Sequence, residues 1–111
     1  MADWGVHLLD YALKGMNVRL PSYVYGAGGK FGYPDDAMET PDTLMATYQY
    51  PGFNIIWDHA CGIGNGLFGL RDGLAFFGEN GTMILTRAGW EVQPEQATTS
   101  RTFPSCYPCD Q

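Results

Sequence analysis

Apolar and polar residues alternate most cleanly over residues 43–50, where Leu44, Ala46, Tyr48 and Tyr50 fall on one side and Thr43, Met45, Thr47 and Gln49 on the other. A period of two marks a strand with one buried face. Pro51-Gly52 follows. This pair suits the centre of a type II turn, because Pro fixes φ and Gly accepts a positive one. The chain then returns through residues 53–60, with Phe53, Ile55, Trp57 and His59 on a common face. Downstream, the apolar runs 74–78 and 82–87 flank Asn80-Gly81, the strongest short-range hairpin signal. Residues 90–93 add a last short strand before Pro94. Upstream, residues 19–25 are rich in aromatic and β-branched side chains and read as a strand. Gly26-Ala27-Gly28-Gly29 reads as flexible, and residues 31–41, with Pro34, Pro41 and Asp35-Asp36, as an ordered loop.

Ahead of these strands, residues 4–14 read as a helix. Asp3 is placed as its N-cap, Val6, Leu9 and Leu13 as one apolar stripe, Lys14 at the negative end and Gly15 as the stop. Gly5 weakens this helix by about 1 kcal/mol relative to alanine. Strands joined by tight turns run antiparallel, because a parallel return needs a long crossover. The pattern therefore predicts an α+β domain over residues 1–95, a mostly antiparallel open β-sheet with one N-terminal helix packed on one face. Residues 96–111 have no apolar period and read as an irregular tail. Met45, Ile56, Phe76, Phe77, Met83, Ile84 and Leu85 are more apolar surface than one short helix covers. The simplest cover is a second copy of the chain, so a homo-oligomer through the open sheet face is expected.

With 111 residues the chain is read as one domain with a thin core. Its net charge of -6 argues against nucleic acid, since no cationic patch is available to displace phosphate counterions. No segment reaches the roughly 18 apolar residues of a membrane span, and the first residues lack a basic, apolar leader. No membrane partner is expected, and the expected location is the cytoplasm. Three cysteines, an odd number, point to reduced thiols. Cys61 follows an apolar strand and reads as a small packed side chain. Cys106-Tyr107-Pro108-Cys109 has redox or metal-ligand spacing, but a zinc site wants about four ligands and a redox pair wants a strand-to-helix junction, so no metal is assigned. Gly64-Asn65-Gly66-Leu67-Phe68-Gly69 fits the dinucleotide pattern GxGxxG. That pattern has meaning only where it opens a helix. Here Asp72-Gly73 and a hairpin follow, so it reads as a flexible loop with no cofactor.

Asp3 and His7 stand one helical turn apart at the start of the chain. A carboxylate beside an imidazole suits proton transfer from a substrate hydroxyl. The plainer alternative makes Asp3 a helix cap and His7 a surface histidine salt-bridged to Asp3 or Asp10. Trp57, Asp58 and His59 read as sheet-face residues and Asp35-Asp36 as a solvated loop. Tyr48, Tyr50 and Trp57 suit either sugar stacking or interface packing.

Several stretches together resemble one family. They are Asp3-Trp4-Gly5-Val6-His7-Leu8-Leu9-Asp10, Gly28-Gly29-Lys30-Phe31, Tyr33-Pro34-Asp35-Asp36-Ala37-Met38-Glu39-Thr40-Pro41-Asp42-Thr43, Phe76-Phe77-Gly78 with Asn80-Gly81-Thr82, and Gly89-Trp90-Glu91-Val92. They are similar to the second domain of bacterial Gfo/Idh/MocA-family oxidoreductases, the glucose-fructose oxidoreductase and inositol dehydrogenase relatives, over roughly residues 2–95. The resemblance implies the α+β fold of that domain, whose open sheet serves oligomerisation. It also implies that Asp3 and His7 match the family's catalytic aspartate and histidine, the latter accepting a proton from a sugar or polyol hydroxyl as hydride leaves for NAD or NADP. The match is to a domain truncated at both ends, and the Rossmann domain and its catalytic lysine fall outside it. Asp3 and His7 are therefore expected to be vestigial, with no cofactor bound by this chain alone. The expected function is a non-catalytic, sheet-mediated oligomerisation or interaction module. The alternative is the substrate-binding catalytic half of a split dehydrogenase acting with a separate nucleotide-binding subunit.

Overall fold

A computed structural model describes residues 2–95. Helix α1 (Ala2–Met16) is followed by β1 (Tyr23–Gly29), β2 (Thr43–Tyr50) and β3 (Phe53–Ala60). A 3-10 turn at Leu67–Gly69 precedes β4 (Leu74–Gly78), β5 (Gly81–Thr86) and β6 (Gly89–Pro94). The strands form two three-stranded sheets, ordered β1-β2-β3 and β4-β5-β6. The chain divides into two compact units, one ending at Leu74 and one beginning at Ala75. The α+β class and the antiparallel pairing match the sequence reading, but one continuous meandering sheet does not form. The connection 61–73 is far longer than a hairpin turn, so nothing forces β4 beside β3, and each group of strands pairs locally.

The β2–β3 hairpin lies where the alternation put it. Gly52 takes φ +89° in the turn, and the register runs from Tyr50 opposite Phe53 to Thr43 opposite Ala60. Leu44, Ala46, Tyr48 and Tyr50 thereby join Phe53, Ile55, Trp57 and His59 on one face. Helix α1 packs on this face against β3. Gly5 lies against the Trp57 indole: a Cβ there would stand in contact with it, 3.4 Å from Cζ2, so a side chain much larger than alanine would meet the ring. The buried stripe of the helix is therefore Gly5 and Ala12, with Leu8, Leu9 and Leu13 half-buried. Val6, expected in that stripe, is 63% exposed. The smallest side chains face the sheet because the indole occupies the space a larger one would need.

Both helix ends differ from expectation. The helix begins at Ala2, so Asp3 lies within its first turn and does not precede it as an N-cap. At the other end the helix runs past Gly15 to Met16, and Asn17 supplies the left-handed residue with φ 53°. The amide of Asn17 donates to Lys14 O at 3.1 Å and that of Val18 to Leu13 O at 3.0 Å. This is a Schellman ending, with Asn in the place glycine usually takes.

Strand β1 is displaced from the expected residues 19–25 and includes the stretch read as flexible. It pairs antiparallel with β2 from Tyr23 opposite Gln49 to Gly29 opposite Thr43. Glycine is required by a close approach: a Cβ at Gly28 would strike the Thr43 carbonyl and lie 3.0 Å from Leu44 Cα. In the second unit, β5 and β6 place Met83 opposite Val92 and Leu85 opposite Trp90, while Ile84 is buried.

Loop 31–41 is anchored by a residue the hydropathy pattern did not mark. The Asp42 side chain is fully buried. Its Oδ1 accepts from the amides of Phe31 at 2.9 Å and Gly32 at 3.1 Å, and its Oδ2 from Tyr33 at 2.8 Å. The Thr43 hydroxyl donates to Oδ1 at 2.9 Å. The Asp42 carbonyl in turn accepts from the Cys61 amide at 2.9 Å, tying the loop to the end of β3. These bonds lower the carboxyl pKa from 3.8 to about 2. The Tyr33 amide is the largest cause. Burial opposes it, and the Gly32 and Phe31 amides and the Thr43 hydroxyl lower the value further.

A group with a depressed folded-state pKa contributes stability that is fully present above its unfolded value and lost as pH falls through the folded one. The Asp42 contribution is therefore present above about pH 4 and lost on acidification toward pH 2. Asp42→Asn directs an NH2 group at backbone donors, and urea titration should find it less stable than the parent at pH 7. Repeating the titration from pH 4 down to pH 2 should show the gap between the two proteins closing. A gap constant with pH would show that the carboxylate charge is not what holds the loop.

Candidate functional site

Three places in the first unit gather chemistry-bearing side chains. The first is the exposed side of α1, which carries His7. Asp3 and His7 stand one turn apart on this helix, as the sequence reading placed them. The side chain of Asp3 lies outside the described residues. Asp10, the other carboxylate within reach of His7, instead pairs with Lys14 at 3.6 Å, one turn on. Both partners are largely exposed, so the pair contributes only a few tenths of a kcal/mol.

The second place is the helix-covered sheet face. Tyr50 is buried, its ring stacked on Phe53 with centroids 5.1 Å apart, and its hydroxyl donates to the Arg19 carbonyl at 3.3 Å. Beside it lies a cavity of about 260 Å³ between α1 and the sheet, walled by Leu9, Leu13, Val24, Tyr48 and Ile55, with Arg19 as its charged member. Tyr48, Tyr50 and Trp57 lie on this covered face, Tyr50 buried and the other two half-buried. Tyr50 packs in the core, and Tyr48 lines the cavity beside it.

The third place is the end of β3. The His59 ring stacks on Trp57, with centroids 6.2 Å apart and planes at 15°. The Cys61 sulfur lies 3.2 Å from His59 Nε2. Cys61 is exposed, not a packed core thiol as its sequence neighbours suggested. The strand ends at Ala60, so Cys61 stands in the first turn beyond it, where no second layer covers it. Asp58 is exposed on the opposite face, and Cys106 and Cys109 lie outside the described residues.

The remaining sequence candidates are structural. Asp36 Oδ1 accepts from the Met38 amide at 3.2 Å, and its carbonyl accepts from the Lys30 ammonium, so the Asp35-Asp36 pair is part of the loop framework. The GxGxxG stretch contains one 3-10 turn, closed by the Gly69 amide donating to Gly66 O at 3.1 Å and the Leu70 amide to Leu67 O at 3.2 Å, and leads to β4 without an α-helix. Among the described residues no three or more His, Cys, Asp or Glu side chains are grouped to hold a metal ion. Nor is any described helix long and apolar enough to cross a membrane.

The outer face of the first sheet gathers side chains from all three strands. The register places Tyr23, Tyr25 and Ala27 of β1 beside Met45, Thr47 and Gln49 of β2 and Asn54, Ile56 and Asp58 of β3. Tyr23, Tyr25, Met45 and Ile56 are 62%, 59%, 52% and 61% exposed. The two tyrosine rings stack on each other at 6.4 Å. Of the apolar residues expected to need cover, Met45, Ile56 and Phe77 are exposed, whereas Ile84 is buried and Phe76, Met83 and Leu85 are half-buried.

Comparison of the chain with protein-family models, with curated proteins and with solved structures finds no match.

The Tyr50 hydroxyl bond can be removed while its ring stack is kept. Tyr50→Phe should lower stability by about 1 kcal/mol in urea denaturation, the usual net value of one such bond. An unchanged midpoint would mean that the hydroxyl is satisfied equally well by water.

Proposed function

We propose that this chain is a non-catalytic association module that pairs with a second copy of itself through the outer face of its first sheet. The observation that carries the reading is the contrast between the two faces of that sheet. One is covered by α1, and the other presents Tyr23, Tyr25, Met45 and Ile56 to solvent. Thr47, Gln49 and Asn54 complete the outer face, and Asp58 is its one charged residue. Such a surface is self-complementary about a two-fold axis, because each apolar row meets its own copy and charge stays at the rim. The similarity of the loop motif to the second domain of Gfo/Idh/MocA-family oxidoreductases supports the same reading, since that domain associates through its open sheet.

Size sets the strength. Three strands about 4.8 Å apart and some 25 Å long offer roughly 400 Å² per copy, about half of a standard interface. Association is therefore weak and reversible. The net charge of -6 makes the copies repel, so salt should tighten the dimer by screening. Sedimentation equilibrium up to millimolar concentration should show a monomer–dimer equilibrium that shifts toward dimer between low and physiological salt. Ile56→Lys should abolish it while leaving the fold intact, because that side chain is already in water. A parent protein that stays monomeric at millimolar concentration would overturn the proposal.

A second reading is favoured by the exposure of His7 on α1. In it, the chain is the substrate half of a split sugar or polyol dehydrogenase. A separate nucleotide-binding subunit carries NAD or NADP, and His7 takes the hydroxyl proton. Activity appearing only when the two subunits are mixed, and lost in His7→Asn, would establish it. Saturable tight binding of NAD or NADP by this chain alone, read by protein fluorescence, would contradict both readings.

A further inference from the structure

The thiol of Cys61 is anomalous in this fold. A free cysteine is among the most often buried residue types, yet this one is exposed, and its sulfur lies 3.2 Å from an imidazole nitrogen. The contact is held by its surroundings. His59 is half-buried, and its ring is stacked on Trp57, which packs against Gly5 of α1. On the other side, the Cys61 amide is tied to the Asp42 carbonyl at 2.9 Å, next to the loop that Asp42 anchors. Both members of the pair are thus positioned from the backbone outward, and the sulfur is left open to solvent.

We propose that His59 and Cys61 form a base–nucleophile pair and that Cys61 is a site of reversible thiol modification by small disulfides of the glutathione type. In the Nδ1–H tautomer the His59 Nε2 lone pair accepts the thiol hydrogen. On attack the proton passes from sulfur to Nε2, and the Cys61 sulfur bonds to one sulfur of the incoming disulfide as that disulfide's S–S bond breaks. The departing sulfur leaves as a thiolate and takes the proton from the imidazolium, giving a free thiol. Cys61 is oxidised to the mixed disulfide, and the disulfide it attacks is the oxidant. Such exchange is limited by the small fraction of thiolate that an unassisted cysteine holds at neutral pH. A positioned base therefore raises the rate by about tenfold.

The test uses the full chain with oxidised glutathione at pH 7, following the adduct on the Cys61 peptide by mass spectrometry. The same peptide is followed in urea-unfolded chain, where the contact with His59 is gone. Native Cys61 should react about tenfold faster than unfolded Cys61, and His59→Gln should bring the native rate down to the unfolded one. Trp57→Phe, which keeps a ring beneath the imidazole, should retain most of the native rate. The comparison of native with unfolded parent protein needs no variant, so a poorly folding His59→Gln does not weaken it. A native rate equal to or below the unfolded rate would overturn the proposal. So would a folded His59→Gln that reacts as fast as the parent.

Discussion

Asp42 holds the first unit together at the point where three segments meet. Its buried carboxylate accepts from three successive amides, those of Phe31, Gly32 and Tyr33, and from the Thr43 hydroxyl. Its carbonyl takes the Cys61 amide beyond β3. A charged group without water costs several kcal/mol unless its lone pairs are filled, and here the loop backbone fills them. The three amides converge on the two oxygens of one carboxylate, so the anion they hold is the protein's own side chain. Gly32 lies close to the segment beyond β3, where a Cβ would stand in ordinary contact, 3.4 Å from Gly62 Cα and 3.7 Å from Asp42 Oδ2. The anchor also explains how a loop with two prolines and many exposed residues runs in a defined path from β1 to β2.

From that anchor the chemistry of β3 follows by packing. Gly5 admits the Trp57 indole, the indole carries the His59 ring, and the ring faces the Cys61 sulfur. Alternation along the strand puts Trp57 and His59 on one face. The end of the strand then leaves the next thiol uncovered. A helix residue with no side chain thus influences the position of an imidazole on a strand distant in sequence. His7, the histidine with the more suggestive sequence context, lies on the exposed side of α1.

The two faces of the first sheet divide its tasks. The covered face builds the core with Ala46, Tyr50 and the half-buried Ile55 and Trp57, while the open face keeps apolar side chains beside uncharged polar ones. Surface apolar residues scattered singly are ordinary, but four on one side of a three-stranded sheet, two of them stacked tyrosines, form a patch. Against an overall charge of -6, the near absence of charge on that side is what makes self-pairing the proposed use of it.

Local pattern was enough for the β2–β3 hairpin, the β4–β5 turn and the existence of α1, because each follows from side-chain period and turn residues close in sequence. The same alternation separated the two faces of β2 and β3 residue by residue. Contacts distant in sequence decided the rest. Gly26-Ala27-Gly28-Gly29 became a strand because it pairs with β2 along its length, and Gly28 stands where a Cβ would strike the Thr43 carbonyl. Val6 was turned outward because Trp57 needed the space at Gly5, and the strands separated into two sheets because connection 61–73 imposed no pairing. The hydropathy pattern leaves Asp42 unmarked, and its role comes from its partners at residues 31–33. Period and turn chemistry are properties of neighbouring residues, so the chain sequence determines them alone. Burial of a charge and close backbone approach depend on which distant segments share space, and only the tertiary structure decides that.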